Sequence, residues 1–182
     1  MIRPITPGDT EPLIALAGES GLFSAEQLDT LRPMVCESLN HTGSTHPFWI
    51  ADDEDGLVGL AYCEPERMTD GTWNLQLIAV QPTRQRQGRG AQLLRYLEQS
   101  LAARGARVLL VDTLGTPDFS HVRAFYRKHG FDEEARIRDF YAAGADKVVF
   151  RRALAASTSD VNSTASPGDA AGGGAAFRSH FD

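Results

Sequence analysis

Apolar positions along the chain follow two different spacings, which predicts a mixture of helices and strands up to residue 154. Strand-like patterns cover residues 1–5, 48–51, 57–63, 73–80, 108–111, 131–137 and 147–154. Helical spacing begins near residues 7, 24, 91 and 119, and residues 139–146 are predicted to be a loop between the last two strands. The predicted order is β-α-α-β-β-β-α-β-α-β-β, an α/β fold whose mixed sheet carries helices on its faces.

The composition changes after residue 154. Ala, Ser, Thr, Gly and Pro dominate residues 155–182, and three glycines follow one another at residues 172–174. Such a segment buries too little apolar surface to offset the entropy that ordering would cost. We therefore predict one domain over residues 1–154 and a flexible tail over residues 155–182.

Charge and cysteine content argue against several classes of function. The formal net charge of the 182 residues is -6, which disfavours nucleic acid as a partner. Cys36 and Cys63 are too few for a disulfide framework, and no histidine lies at metal-ligand spacing from them. No apolar run approaches the roughly 20 residues of a membrane span. We expect a cytoplasmic protein that binds neither metal nor membrane, and we interpret the acidic residues 52–55 as a solvated hairpin tip.

A glycine-bearing turn, QRQGRG at residues 85–90, lies between a predicted strand and a predicted helix. We call these residues the glycine loop. The first N–H groups of a helix have no partner within it, and the helix dipole is positive there, so such a corner binds phosphate-like anions. Gly88 and Gly90 let the backbone approach a bulky ligand. The arginines of this segment add charges that suit phosphate: Arg84, Arg86 and Arg89.

Two better-known glycine loops do not fit this sequence. A nucleoside-triphosphate loop ends in Gly-Lys-Ser/Thr, whereas this chain has Gly90-Ala91-Gln92. A dinucleotide fingerprint needs a third glycine, and Leu93 stands at that position. Both alternatives are therefore excluded by the residues themselves.

Three motifs, in order, closely resemble those of the GNAT N-acetyltransferases. The sequence LIAVQP at residues 77–82, followed by the glycine loop and by Leu93-Leu94, is similar to the family's strand, pyrophosphate loop and helix. The sequence RAFYRKHGF at residues 123–131 is similar to the family's A-x-x-F-Y-x-x-x-G-F signature. RDFY at residues 138–141 begins a segment that looks like its C-terminal hairpin. The resemblance covers about residues 1–154.

The resemblance implies the GNAT fold, with about seven strands, helices on both faces, and fourth and fifth strands (residues 73–80 and 108–111) that splay apart. Acetyl-CoA would bind as co-substrate in that gap, its pantetheine arm along the fourth strand and its pyrophosphate on the N–H groups of residues 86–91. The implied coenzyme-binding residues are Ile78, Ala79, Val80, Gln85, Arg86, Gln87, Gly88, Arg89, Gly90, Ala91 and Tyr126.

For catalysis the resemblance points to Tyr126, because a tyrosine at this place in the motif lies near the coenzyme sulfur. A phenol is neutral at pH 7 and can donate its proton to the leaving thiolate. The general base is less defined, since the fourth strand carries amides where many relatives have a glutamate. Three carboxylates are placed to reach the cleft, namely Glu64, Glu66 and Asp112. Glu64 is our candidate, and a water chain without a dedicated base is the alternative.

The acceptor pocket is expected between the N-terminal helices, the connection at residues 64–72 and the predicted loop at residues 139–146. Trp73 and Tyr141, and also Trp49, are candidates for its aromatic wall. Acids outnumber bases among the candidate lining residues, which indicates a cationic amine as the substrate.

These features together predict an acetyl-CoA-dependent N-acetyltransferase that moves the acetyl group to a primary amine by direct attack in a ternary complex. A non-catalytic acyl-CoA sensor is the main alternative, and the acidic net charge disfavours a nucleic-acid-binding protein. The expected partner is a small-molecule amine. A homodimer is also allowed, because many members of the family dimerise through their C-terminal strands.

Overall fold

A computed structural model of the protein describes residues 1–20, 25–40 and 46–154. Its strands are β1 (Ile2–Pro4), β2 (Phe48–Asp53), β3 (Leu57–Pro65), β4 (Thr72–Val80), β5 (Val108–Leu114), β6 (Asp132–Ala142) and β7 (Ala145–Ala153). Its α-helices are α1 (Thr10–Glu19), α2 (Ala25–Asn40), α3 (Arg89–Ala103) and α4 (Ser120–Lys128). The order and type of these elements confirm the prediction from hydrophobic spacing. The predicted flexible tail lies outside the described residues.

The strands form a 7-stranded mixed sheet in the order β1-β2-β3-β4-β5-β7-β6. Neighbouring strands are antiparallel except β4 and β5, which run parallel. A parallel pair needs a crossover connection, and α3 supplies it. β6 is an edge strand and is exposed along its whole length.

Two apolar clusters, one on each face of the sheet, hold the helices in place. The first contains the buried leucines of α3 together with Tyr126 of α4: Leu93, Leu94, Leu97 and Leu101. The second contains the buried side chains of α1 and α2: Leu13, Leu16, Ala17, Leu31 and Val35. We call the two sides of the sheet the α3–α4 face and the α1–α2 face. No helix among the described residues is both long enough and apolar enough to cross a membrane.

β4 contains a bulge that changes which of its side chains lie on which face. Two successive residues of β3 lie opposite Leu75 and Leu77, so Gln76 between them is an extra residue. Leu75 belongs to the cluster on the α3–α4 face. After the bulge it is the even-numbered Ile78 and Val80 that pack against the same cluster. The single extra residue therefore shifts the alternation of the second half of β4 by one position.

The prediction of a loop at residues 139–146 is wrong for most of its length, because β6 continues to Ala142 and β7 begins at Ala145. Asp139 has a left-handed backbone (φ 53°), and its carboxylate accepts a hydrogen bond from the N–H of Gly144 at 2.7 Å. The register to β7 is irregular between Ile137 and Ala142. This bulged hairpin breaks the simple alternation by which a strand is recognised in a sequence.

An ion pair fixes the first turn of the N-terminal helical segment. Thr6 and Pro7 begin a short 3-10 turn that leads into α1, as predicted from the sequence. The Asp9 carboxylate accepts hydrogen bonds from the N–H of Thr6 at 2.7 Å and from the Arg3 guanidinium at 2.7 and 2.9 Å. The hydrogen bonds from Arg3 are the main reason that the pKa of Asp9 lies well below its usual range.

We expect Asp9→Asn to lower the free energy of unfolding by about 2 kcal/mol at pH 7, because it removes charge-assisted hydrogen bonds to a buried group. The pKa of Asp9 is lower in the folded chain than in the unfolded chain. Its contribution is therefore complete above about pH 5 and is lost as the pH falls. Urea unfolding of both proteins at pH 7, 5 and 3 measures this difference. A difference that does not shrink at pH 3 would contradict the assignment.

Candidate active site

β4 and β5 pair with each other only over their first residues. Residues 72–75 lie beside residues 108–111 in parallel register. Beyond that point β4 continues to Val80 beside β3 alone, and β5 continues to Leu114 beside β7 alone. The two strands thus diverge into a gap, which confirms the predicted splay. An extended ligand that carries amide groups can pair with a strand edge of this kind.

The glycine loop lies at the end of β4, where this gap is open. The N–H groups of residues 86–91 donate to no backbone acceptor in the described part of the chain. The first bond of the helical type runs from the N–H of Gln92 to the carbonyl of Gly88, at 3.0 Å. Arg86 (φ 60°) and Gly88 (φ 82°) are both left-handed. Turns of this kind direct successive N–H groups towards one anion, and for Arg86 the conformation costs about 1 kcal/mol.

The side chains of the glycine loop differ in what they contact. The Gln85 side-chain amide donates to the carbonyl of Val80 at 3.1 Å and holds the loop against the end of β4. Gln87 and Arg86 are exposed, and Arg84 is half-buried. Neither Arg84 nor Arg86 forms an ion pair with a described residue. Their charges are therefore free to act on an anion bound at the loop.

Arg89 is the exception among the loop arginines. Its Nη1 lies 2.8 Å from Oδ2 of Asp52, and its Nη2 pairs with the carboxylate of Glu54. Asp52 is only 2% exposed, so the interpretation of residues 52–55 as a solvated tip is wrong for this residue. β2 continues through Asp53, which brings Asp52 next to the start of α3. There the guanidinium offsets the free energy needed to bury a carboxylate.

Tyr126 lies on α4 and is only 3% exposed. Its ring packs against those of Phe125, Phe131 and Phe150, with centroid distances of 5.3, 5.5 and 5.6 Å. Phe125 lies 3.6 Å from the position that a Cβ atom on Gly90 would occupy. α4 is therefore packed beside the start of α3, next to the glycine loop.

Burial keeps the hydroxyl of Tyr126 protonated. It raises the pKa of this phenol above its ordinary value, and no other cause contributes. Ile78 and Val80 pack against the apolar cluster that contains Tyr126, while Ala79 belongs to the cluster on the other face. The strand and the tyrosine that the sequence motifs single out thus pack against one apolar cluster, and Phe125 brings the helix of that tyrosine next to the loop.

On the α1–α2 face, polar residues lie where the gap begins. Glu64 lies opposite Asn74 in the register of β3 and β4, and Asn74 lies opposite Leu110 in that of β4 and β5. The last paired position is one residue further on. Glu64 is half-buried, and its charge adds to the effect of burial in raising the pKa of Tyr62. This carboxylate therefore lies close to both the gap and the Tyr62 hydroxyl.

A cavity of about 340 Å³ lies between α2 and the neighbouring strands. We call it the Tyr62 cavity, and it is lined by Met34, Glu37, Ser38, His46, Pro47 and Tyr62. The charge of Glu37 also contributes to the raised pKa of Tyr62. Two carboxylates, from α2 and from β3, thus produce a negative potential at this tyrosine.

The other two carboxylates that were considered as bases have partners. Glu66 accepts a hydrogen bond from the side-chain amide of Asn74 at 3.0 Å. Asp112 forms an ion pair with Lys147. These contacts occupy oxygens that a proton transfer would need. Glu64 forms no ion pair with a described residue, and its hydrogen-bond partner is the neutral hydroxyl of Tyr62, so it stays the candidate base.

Comparison with known proteins agrees with this geometry. Residues 44–133 match the model of an acetyltransferase (GNAT) domain. The solved structure of a GNAT-family protein from Desulfovibrio desulfuricans is 31% identical, with a TM-score of 0.79 over 85% of this chain and 99% of that chain. The chain belongs to the GNAT family of acetyltransferases.

Two further solved structures share the GNAT fold with this chain. An aminoglycoside 6'-N-acetyltransferase complexed with coenzyme A has a TM-score of 0.68 at 17% identity, over 85% of this chain and 97% of that chain. The ribosomal-protein-S18-alanine N-acetyltransferase from Escherichia coli has a TM-score of 0.67 at 20% identity, over 90% and 98%. At these identities the likeness concerns the fold alone. No curated protein matches the sequence.

The aromatic residues expected at the acceptor site of this GNAT protein lie in three different places. Trp73 belongs to the core on the α3–α4 face, so its position does not support a role in acceptor binding. Trp49 is buried and stacks on Tyr62 at 4.4 Å, behind the Tyr62 cavity. Tyr141 is exposed on β6, and partial burial followed by the charge of Asp112 raises its pKa. Tyr141 therefore lies near Asp112 of β5.

Arg123 is a site residue that the sequence analysis missed. It is buried on α4, and its Nη1 donates to the carbonyls of Leu114 and Thr116 at 2.7 and 2.8 Å. These bonds hold the end of β5, which is the far wall of the gap. The sequence did contain a sign of this role. Arg123 is a charged residue three positions before Tyr126, so helical spacing places both residues on the buried face of α4.

We expect Gly88→Ala to weaken the binding of coenzyme A at least about 10-fold while costing only about 1 kcal/mol of stability. A Cβ atom at Gly88 has open space around it within the protein, so it would intrude only on a ligand. Calorimetric titration with coenzyme A and thermal unfolding measure the two effects.

Gly105→Ala is a matched control for this experiment. Gly105 lies after the other end of α3, with φ near 80° and equally open surroundings. It should lose the same stability without any change in coenzyme affinity. Equal affinity losses in the two variants would argue against the glycine loop as the binding site.

Proposed function

We propose that the protein is an N-acetyltransferase that moves the acetyl group of acetyl-CoA to a primary amine by direct attack in a ternary complex. The observation that carries the proposal is the gap between β4 and β5, which ends at the unpaired N–H groups of residues 86–91. A strand edge suited to an amide-bearing arm leads there to a turn suited to a pyrophosphate. Acetyl-CoA carries both groups in that order.

The coenzyme would bind along β4. Its pantetheine amides would pair with the free edge beside Ile78, Ala79 and Val80, and its pyrophosphate would accept hydrogen bonds from the glycine loop. Arg84 and Arg86 would add favourable charge. With the pyrophosphate fixed, the thioester would lie in the gap near Tyr126. It would also lie near Glu64, which is close to the point where the gap begins.

The proposed reaction needs three proton transfers. Glu64 accepts a proton from the ammonium, directly or through water, and the neutral nitrogen attacks the thioester carbonyl. A backbone N–H near Val80 stabilises the tetrahedral oxyanion, a contact commonly worth about 3 kcal/mol. The C–S bond then breaks, Tyr126 donates its proton to the departing sulfur, and the second proton of the attacking nitrogen passes to the Tyr126 phenolate as the amide forms. Since burial raises the pKa of Tyr126, this acid is present across the physiological pH range.

The acceptor would bind on the α1–α2 face, with its amine directed towards Glu64. Glu37 and Glu64 lie around Tyr62, and carboxylates in this arrangement favour a substrate that carries more than one positive charge. The wall of the Tyr62 cavity is more apolar than polar, and Glu37 is the carboxylate among its lining residues. We therefore propose a small polycationic amine as the acceptor.

We expect Tyr126→Phe to lower kcat for coenzyme A release at least about 10-fold, with little change in the KM for acetyl-CoA, because it removes a proton donor and keeps the packing. Tyr96→Phe, the same chemical change on α3, should leave kcat unchanged. A thiol-release assay with a panel of amines measures both. Tight acetyl-CoA binding without release for any amine would favour the sensor alternative instead.

We expect Glu64→Gln and Glu37→Gln to act on different kinetic constants. The first should lower kcat about 10-fold or more through loss of the base, and the second should raise the KM for a polycationic amine about 3- to 10-fold through loss of charge. Glu26→Gln, on the exposed side of the same helix as Glu37, is the control. Unchanged amine kinetics in both variants would place the acceptor elsewhere.

A further inference from the structure

Arg89, Asp52 and Glu54 form a charged cluster beside the glycine loop. Arg89 is the first residue of α3 and donates to Asp52 at 2.8 Å while also pairing with Glu54. The N-terminal amine of Met1 lies 3.3 Å from the other oxygen of Asp52. The side chain of Asp52 is 3% exposed and that of Arg89 is 14% exposed, so solvent screens this contact weakly.

The backbone brings these two side chains together. Gly59 of β3 lies against α3, and a Cβ atom there would come within 3.0 Å of Leu93 and 3.5 Å of Asp52. The absence of a side chain at Gly59 thus lets the first turn of α3 approach β2 and β3 closely. The contact between Asp52 and Arg89 joins the start of α3 to the rigid part of the sheet.

The cluster also determines whether the guanidinium of Arg89 is available to bind a phosphate. One guanidinium faces two carboxylates, so Arg89 would have to leave both of them to bind a phosphate. Arg84 and Arg86, in contrast, have no such partner among the described residues. The free positive charge of the glycine loop therefore comes from these two arginines and from the backbone N–H groups.

We propose that Asp52 is a positioning residue for coenzyme binding: it holds Arg89, and through Arg89 the N–H groups of residues 86–91, in the orientation that receives the pyrophosphate. This inference rests on the proposed function. The sequence resemblance implies that Arg89 contacts the coenzyme. The present inference is that Arg89 supports the loop instead. Positioning of this kind changes affinity because the unbound loop already has the bound geometry.

The test compares Asp52→Asn, Arg89→Gln and the double variant by calorimetric titration with coenzyme A and by steady-state kinetics. We expect each single variant to weaken coenzyme binding about 10-fold, and the double variant to be no worse than either, since the two residues act as one unit. The KM for acetyl-CoA should rise while the KM for the amine and kcat change little. A merely structural defect would alter all three constants.

The opposite assignment gives an opposite result. If Arg89 contacted the phosphate directly, Asp52→Asn would release it and leave coenzyme binding unchanged or stronger, which would overturn the proposal. Asp53→Asn is the matched control, because Asp53 is the next residue of β2 but pairs with Arg3 instead. It should leave coenzyme binding unchanged.

The outcomes also separate this inference from the proposed function. Normal coenzyme binding by the wild type, with no loss in Asp52→Asn, overturns the positioning role and leaves the N-acetyltransferase proposal intact. A wild-type protein that does not bind coenzyme A at all overturns both. Thermal unfolding of each variant, measured beforehand, sets an assay temperature at which every protein is folded.

Discussion

The site depends on backbone hydrogen bonds that β4 and β5 do not form with each other. Parallel strands in a protein core normally pair along their whole length, since an unpaired peptide group away from water costs free energy. Here β4 and β5 separate after residues 75 and 111, although both strands continue. The peptide groups that face the gap are therefore available to a ligand. A molecule whose amides match them would gain affinity by binding there. The helices and the loop are arranged around this opening.

Charge is separated across the opening. On one side the helix start and free arginines create a positive potential, and on the other side Glu37 and Glu64 create a negative one. Under the proposed function, the anionic coenzyme and the cationic acceptor would be attracted to different regions. The buried Tyr126, which carries no charge, belongs to the apolar cluster on the α3–α4 face. The overall net charge of -6 does not reveal that positive and negative regions are separated in this way.

Much of the fold followed from short-range patterns in the sequence. The order of strands and helices and the start of the first helical segment near residue 7 both depend on local residue preferences. The splay of β4 and β5 came from the motif resemblance. In each of these cases the decisive residues are near neighbours in the chain.

The errors have the opposite character, because they depend on contacts between distant segments. Asp52 looked like part of a solvated tip, since its partner Arg89 is 37 residues away. Trp73 looked like a pocket residue, because spacing alone does not say which face of a sheet a strand residue occupies. Residues 139–146 looked like a loop because the bulge around Asp139 hides the strand. The support that Arg123 gives to β5 depends likewise on where a helix packs.

The bulge at Gln76 makes β4 of this chain sensitive to a change in its length. Because the extra residue shifts the alternation, removing it would turn Ile78 and Val80 to the face now occupied by Leu77 and Ala79. The faces that Ile78 and Val80 occupy thus depend on the number of residues in the strand and not on the identity of Gln76. Substitutions along β4 can keep this arrangement, whereas the deletion of one residue before Ile78 would reverse it.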